Sequence, residues 1–100
     1  MKLLLVCSAG MSTSILVTKM QQAAAEKEMT ADIQAIAESE LQQHVEGADV
    51  VLIGPQVRYL EKNIRQTVEP FGVKCDVMDQ SAFGMMRGDQ LLEQALQLMK

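Results

Sequence analysis

The tightest constraint on the fold is a pair of uninterrupted apolar runs, KLLLVC (2–7) and ADVVLIGP (48–55), each ended by a turn signal. A run without alternation is what a strand needs when both its faces are covered, because neither set of alternate side chains then meets water. Apolar residues recur at helical intervals between and after these runs. Ile15, Leu16, Met20, Ala23 and Ala24 mark one such segment; Val57, Leu60, Ile64 and Val68 form the stripe of another, closed by Pro70 and Gly72. TADIQAIA (30–37) alternates weakly, as an edge strand does, and VKCDVM (73–78) reads as a further interior-type strand. SELQQHVEG (39–47) predicts a short helix with Ser39 as N-cap, Gln42 as capping-box partner and Gly47 as stop. DQSAFGMMRG (79–88) reads as a loop or short helical turn, and DQLLEQALQLMK (89–100) as a final amphipathic helix capped by Asp89.

Strands alternating with helices imply right-handed crossovers and a parallel sheet covered on both faces, an α/β fold in a single domain over residues 1–100. The core must be aliphatic and methionine-rich, since apolar residues make up 48% of the chain and aromatics only 3%. A net charge of −4 with no basic stripe excludes nucleic acid as a partner and disfavours a polybasic membrane surface. No stretch approaches the roughly 18 apolar residues of a membrane span. The expected setting is therefore cytoplasmic, with reduced thiols and no direct membrane insertion.

Cys7 follows the first apolar run and precedes the small residues SAGMST (8–13). It could be a buried strand residue, a lipid attachment point, a redox thiol or a nucleophile. The apolar run is far shorter than the roughly 7 to 15 residues an export signal needs, which removes the lipid anchor. Cys75 lies too far along the chain for a CxxC or zinc-knuckle pairing, and its place in a strand pattern makes it core. No metal or cofactor is implied. A strand, a loop of small residues and a helix is a setting for an anion: loop amides converge, and the helix N-terminus adds a positive dipole end. Gly10 permits unusual backbone angles, Ser8, Ser12, Thr13 and Ser14 add hydroxyl donors, and the same field lowers the pKa of a thiol placed there. The loop is neither GxxxxGK[ST] nor GxGxxG. It also misses the phosphatase spacing Cys-x5-Arg, because Thr13 stands where the arginine would be. A cradle of amides and hydroxyls without a bidentate guanidinium suits a group that must be handed on rather than hydrolysed.

LLLVCSAGMSTSILVTKM together with ADVVLIGPQVRYL closely resembles the enzyme IIB components of the bacterial sugar phosphotransferase system, lactose/cellobiose/chitobiose family. The form CSAGMSTS is more similar to the cellobiose/chitobiose branch. The resemblance covers nearly the whole chain. It implies a four-stranded parallel sheet in 2-1-3-4 order with helices on both faces, like that of low-molecular-weight tyrosine phosphatases. It implies a phosphotransferase in which Cys7 accepts a phosphoryl group from a phosphohistidine of the IIA component. The group would then pass to a sugar, such as cellobiose or chitobiose, held by the membrane IIC component. Residues Ser8, Ala9, Gly10, Met11, Ser12 and Thr13 would bind the phosphate. Where relatives carry tyrosine in D-S-x-x-Y-G, this chain has Phe83, so no role for that hydroxyl transfers.

The alternative is a thiol hydrolase or arsenate-reductase-like enzyme. Asp79 is its best support, as a carboxylic acid beyond the fourth strand, against the plainer reading of a turn aspartate bonding its own backbone. Arg58 either reaches toward a bound phosphate or sits on the surface. Met11, with Met85 and Met86, is read as soft apolar contact for partner proteins. His44 is given no role.

Overall fold

The computed structural model of the chain describes residues 2–6 and 12–99, with residues 12 and 13 described through their backbone alone. The first half runs β1 (Lys2–Val6), α1 (Ser12–Glu26), β2 (Asp32–Ile36), a 3-10 turn (Glu38–Glu40) leading into α2 (Leu41–His44), and β3 (Val50–Ile53). The second half runs through a 3-10 segment (Pro55–Leu60) into α3 (Glu61–Val68), another 3-10 turn (Glu69–Phe71), β4 (Lys74–Val77), α4 (Gln80–Gly84) and α5 (Gly88–Leu98). Every ladder is parallel, and the order is β2-β1-β3-β4, as the resemblance implied.

The apolar runs do what their lack of alternation requires. Leu3 and Leu5 of β1, with Val50 and Leu52 of β3, pack against Leu16 and Met20 of α1 and Leu91, Leu92 and Ala95 of α5. Leu4, Val6, Val51 and Ile53 point the other way, toward Leu41, Val57, Ile64 and Val68. The placement of helices follows from handedness. The chain moves from β1 to β2 in one direction and from β2 through β3 to β4 in the other. Right-handed crossovers therefore put α1 on one face and α2 and α3 on the opposite face. The reversal makes the gap between β1 and β3 the switch point of the sheet.

Several local expectations are corrected. The helix after β2 starts as a 3-10 turn whose N-cap is Ala37, because the Glu40 carboxylate reaches back to the Ala37 N–H (3.4 Å). Ser39 consequently lies inside the turn rather than at its cap. The final helix is capped at Arg87, one residue before Gly88, and Asp89 sits in its first turn, ion-paired with Arg87 at 3.2 Å. The helix after β3 is broken: inside the 3-10 segment Val57 adopts φ −120°, ψ 26°, and buries its side chain, so the segment is kinked there before it runs on into α3. β4 is an edge strand, not an interior one, with Lys74 exposed and Asp76 and Val77 half-buried. The apolar letters of VKCDVM reflect Val73 and Cys75 facing α3 and Met78 facing the other layer. Ile15 is 54% exposed because Leu16, Met20, Ala23 and Ala24 set the buried stripe. One residue earlier falls about 100° around the helix.

The outer edge of β4 is closed by one side chain. The Gln94 amide of α5 donates to Val77 O (2.8 Å) and to Asp76 Oδ2 (3.2 Å), and its oxygen accepts from the Asp79 N–H (3.0 Å). A side chain thus takes the place of a fifth strand where the chain leaves the sheet, satisfying groups that an open edge would expose.

Candidate functional site

The last row of the sheet is Ile36, Val6, Ile53 and Val77, paired across β2, β1, β3 and β4. Beyond it the ladder continues for one bond on each side of β3: Gly54 N–H donates to Val6 O and Met78 N–H to Ile53 O, both at 2.8 Å. The carboxyl ends of β1, β3 and β4 are thereby fixed side by side at the switch point, where open α/β sheets bind ligands. Cys7 is the next residue in sequence after Val6. Cys7, Ser8, Ala9, Gly10 and Met11 lie outside the described residues, as do the side chains of Ser12 and Thr13; α1 begins at Ser12.

Two further segments frame this edge. After β3, Gly54 and Pro55 turn the chain into the 3-10 segment, with Pro at its first position, where a missing N–H is harmless. After β4, Asp79 caps α4: its Oδ1 accepts from Ser81 N–H (2.9 Å) and Ala82 N–H (3.1 Å). The turn-aspartate reading of Asp79 is therefore the observed one, with Oδ1 engaged as the cap of α4. Pro55, Gln56, Arg58, Gln80, Phe83 and Gly84 line a cleft of about 330 Å³ between the two segments. Arg58 is exposed, and Phe83 is half-buried. Sequence reasoning reached Arg58 and Phe83 separately. It missed the cleft they share, which depends on β3 and β4 being neighbours.

The chain has two cysteines. Cys75 is 8% exposed on the α3 side of β4. Burial pushes its thiol up to about 11, the attraction of nearby Arg65 opposing this only in part. It stays a neutral thiol near pH 7 and belongs to the core, as the sequence indicated. A larger cleft of about 350 Å³, lined by Arg65, Val68, Lys74, Cys75 and Leu98 among others, lies on the outer side of β4. It starts from the amino end of that strand, away from the switch point. Among the described residues no group of three or more His, Cys, Asp or Glu is placed to hold a metal, and no helix is long and apolar enough to cross a membrane.

A parallel sheet with its switch point between the first and third strands defines the chain as an α/β protein with its ligand edge at the end of β1. Comparison with known proteins narrows this. The family profile described as "PTS system, Lactose/Cellobiose specific IIB subunit" matches residues 2–94. The oligo-beta-mannoside-specific EIIB component of Bacillus subtilis (strain 168) is 41% identical over 98 residues, covering 98% of this chain and 95% of that protein. The galactose-specific EIIB component of Lactococcus lactis subsp. cremoris (strain MG1363) is 42% identical over 100 residues, covering 95% and 93%. The solution structure of the cellobiose-specific phosphotransferase IIB component from Borrelia burgdorferi superposes with a TM-score of 0.82 at 38% identity, covering 99% of this chain and 91% of that one. The chain belongs to the lactose/cellobiose-specific IIB family and is a phosphotransferase component of a sugar phosphotransferase system.

Proposed function

We propose that Cys7 is the residue that carries the phosphoryl group, and that the amides and hydroxyls of residues 8–13 hold it there. The observation that carries this reading is the register of the last sheet row, which brings the end of β1 to the switch point directly before Cys7. The buried, neutral state of Cys75, the only other cysteine, supports it by leaving one thiol for the chemistry. In the first step the Cys7 thiolate attacks phosphorus of a phosphohistidine on the IIA component. An S–P bond forms, the P–N bond breaks, and the imidazole nitrogen keeps the electron pair. In the second step a sugar hydroxyl bound by the membrane IIC component attacks the same phosphorus. The S–P bond breaks, the thiolate is regenerated, and the hydroxyl proton leaves to a base on the acceptor side. The protein would act at the cytoplasmic side of the membrane.

The sugar we propose is a β-linked disaccharide such as cellobiose or chitobiose. Two of the three relatives carry names of β-linked sugars, while the galactose-named relative at 42% identity marks how little overall identity selects among them. The test is transfer of radiolabelled phosphate from the charged IIA component. Wild type should take label that is stable to isolation, and Cys7→Ser should take none while unfolding at the same urea midpoint. Undiminished label in the serine variant would sink the assignment. Rapid turnover of p-nitrophenyl phosphate by wild type would instead favour a hydrolase.

A further inference from the structure

We infer that Arg58, presented beside Tyr59 on the turn after β3, is the docking cation for the phosphorylated donor protein. This rests on the carrier reading and adds to it the residue that draws the donor's phosphoryl group to the site.

The chain has three arginines. Arg65 bonds Glu61 at 2.7 Å, and Arg87 bonds Asp89 at 3.2 Å. Arg58 makes no ion pair or hydrogen bond among the described residues. It is held out by design of the backbone around it. Val57 is 4% exposed, and its N–H donates to Gly54 O at 3.0 Å, so the turn is anchored one residue before Arg58. Tyr59, one residue after, is 76% exposed. The residues described as lining the adjoining cleft carry one charge, that of Arg58.

The surroundings fit a protein partner rather than a free anion. Ile15, Tyr59 and Met85 are large exposed apolar residues, and they belong to the three segments that leave the carboxyl ends of β1, β3 and β4. Exposed tyrosine, methionine and arginine are residue types that protein interfaces enrich. The electrostatic need is equally local. The protein carries a net −4, and between Lys2 and Lys19 the sequence has no cation, since Thr13 replaces the arginine of a phosphatase loop. A donor bearing a phosphoryl dianion would meet repulsion unless a positive group stands at the rim. Arg58 supplies that charge without belonging to the cradle, so it can speed the encounter without trapping the phosphorylated cysteine.

The test is the second-order rate of label transfer from the phosphorylated IIA component to Cys7, measured at several ionic strengths. Arg58→Gln should lower the rate roughly tenfold, the low end of what a focused charge does to association, and flatten its salt dependence. Arg58→Lys should restore most of both. Lys74→Gln, the same charge change at the amino end of β4, should leave both unchanged. A wild-type rate and salt slope in Arg58→Gln would overturn the inference, as would equal slowing by Lys74→Gln. So would intact acceptance with a loss confined to the step that phosphorylates sugar, because the surface would then belong to the acceptor. If wild type itself takes no label on Cys7, the carrier reading fails and the inference with it, a result plainly different from the others.

Discussion

At Gly88 the start of α5 lies against the backbone of α1, and the packing there sets a measurable stability difference. A Cβ added at Gly88 would lie 2.6 Å from the Lys19 carbonyl carbon, 2.7 Å from Met20 N and 2.8 Å from Lys19 Cβ. Carbon atoms in good contact stand about 3.5–4.0 Å apart, so α5 must retreat from α1 by roughly 1 Å. The obstructing atoms are mostly backbone, and Met20 is fully buried against the sheet, so no side chain can swing aside. Overpacking of this kind costs about 1–3 kcal/mol. It is opposed by the general gain of replacing glycine, about 0.4–1 kcal/mol from the denatured chain.

Gly84 provides the internal control. It ends α4, has nothing within 4 Å of an added Cβ, and does not adopt a positive φ. Gly84→Ala therefore collects the gain without the clash and should be neutral or more stable. The two variants share the same change in the unfolded chain, so their difference isolates the helix contact. We expect Gly88→Ala to be less stable than Gly84→Ala by about 1–3 kcal/mol. For a domain of this size that splits their melting temperatures by roughly 10 °C. Urea melts followed by far-UV circular dichroism give the same comparison, with equal m values if only stability has changed. Coincident midpoints would refute the claim that α1 and α5 are locked at Gly88.

Two further substitutions probe the charge and thiol assignments. Asp79→Ala should cost about 1 kcal/mol through the lost cap of α4 while leaving the rate of label transfer to Cys7 unchanged; a loss of transfer as complete as that of Cys7→Ser would make Asp79 chemical rather than structural. For Cys75 the folded thiol titrates near 11 and the unfolded one near 9.0, so the stabilisation it gives is fully present below pH 9 and is lost as pH rises through 11. Between those values wild type should lose on the order of 2 kcal/mol more than Cys75→Ala, read as the difference in urea stability at pH 8 and pH 10.5; parallel pH profiles would refute it.

The sheet was legible because its information is local. Leu3 to Val6 and Val50 to Ile53 are apolar on both alternate sets, and only a strand between two helical layers makes use of that. The errors came where a residue's role is fixed by a distant element. Asp89 has the chemistry of a cap, but α5 begins at Gly88 because only glycine lets the helix start against the backbone of α1. Ile15 carries an apolar letter at the head of an amphipathic helix, yet the stripe is set by Leu16 and Met20. Gln94 reads as one polar residue among several, and its part in closing the edge of β4 exists only once α5 and β4 are in register. The loop motif after β1 is contiguous in sequence, so the family it resembles could be read directly. The cleft holding Arg58 and Phe83 joins segments more than twenty residues apart and could not.

On the proposed carrier reading, these positions together would bias the site toward relay. A hydrolase of this shape would need a fixed guanidinium on the phosphate and a free acid to drive the second step. Here the loop offers Thr13 instead of arginine, and Asp79 Oδ1 caps α4. Each additional 1.4 kcal/mol or so placed on the phosphorylated cysteine would reduce the next transfer tenfold in equilibrium. On the proposed reading Arg58, which has no ion pair or hydrogen bond among the described residues, stands on the rim where the donor would meet it first, which would keep the attraction in the encounter and out of the bound state. A site built as proposed would be loaded quickly and still let go.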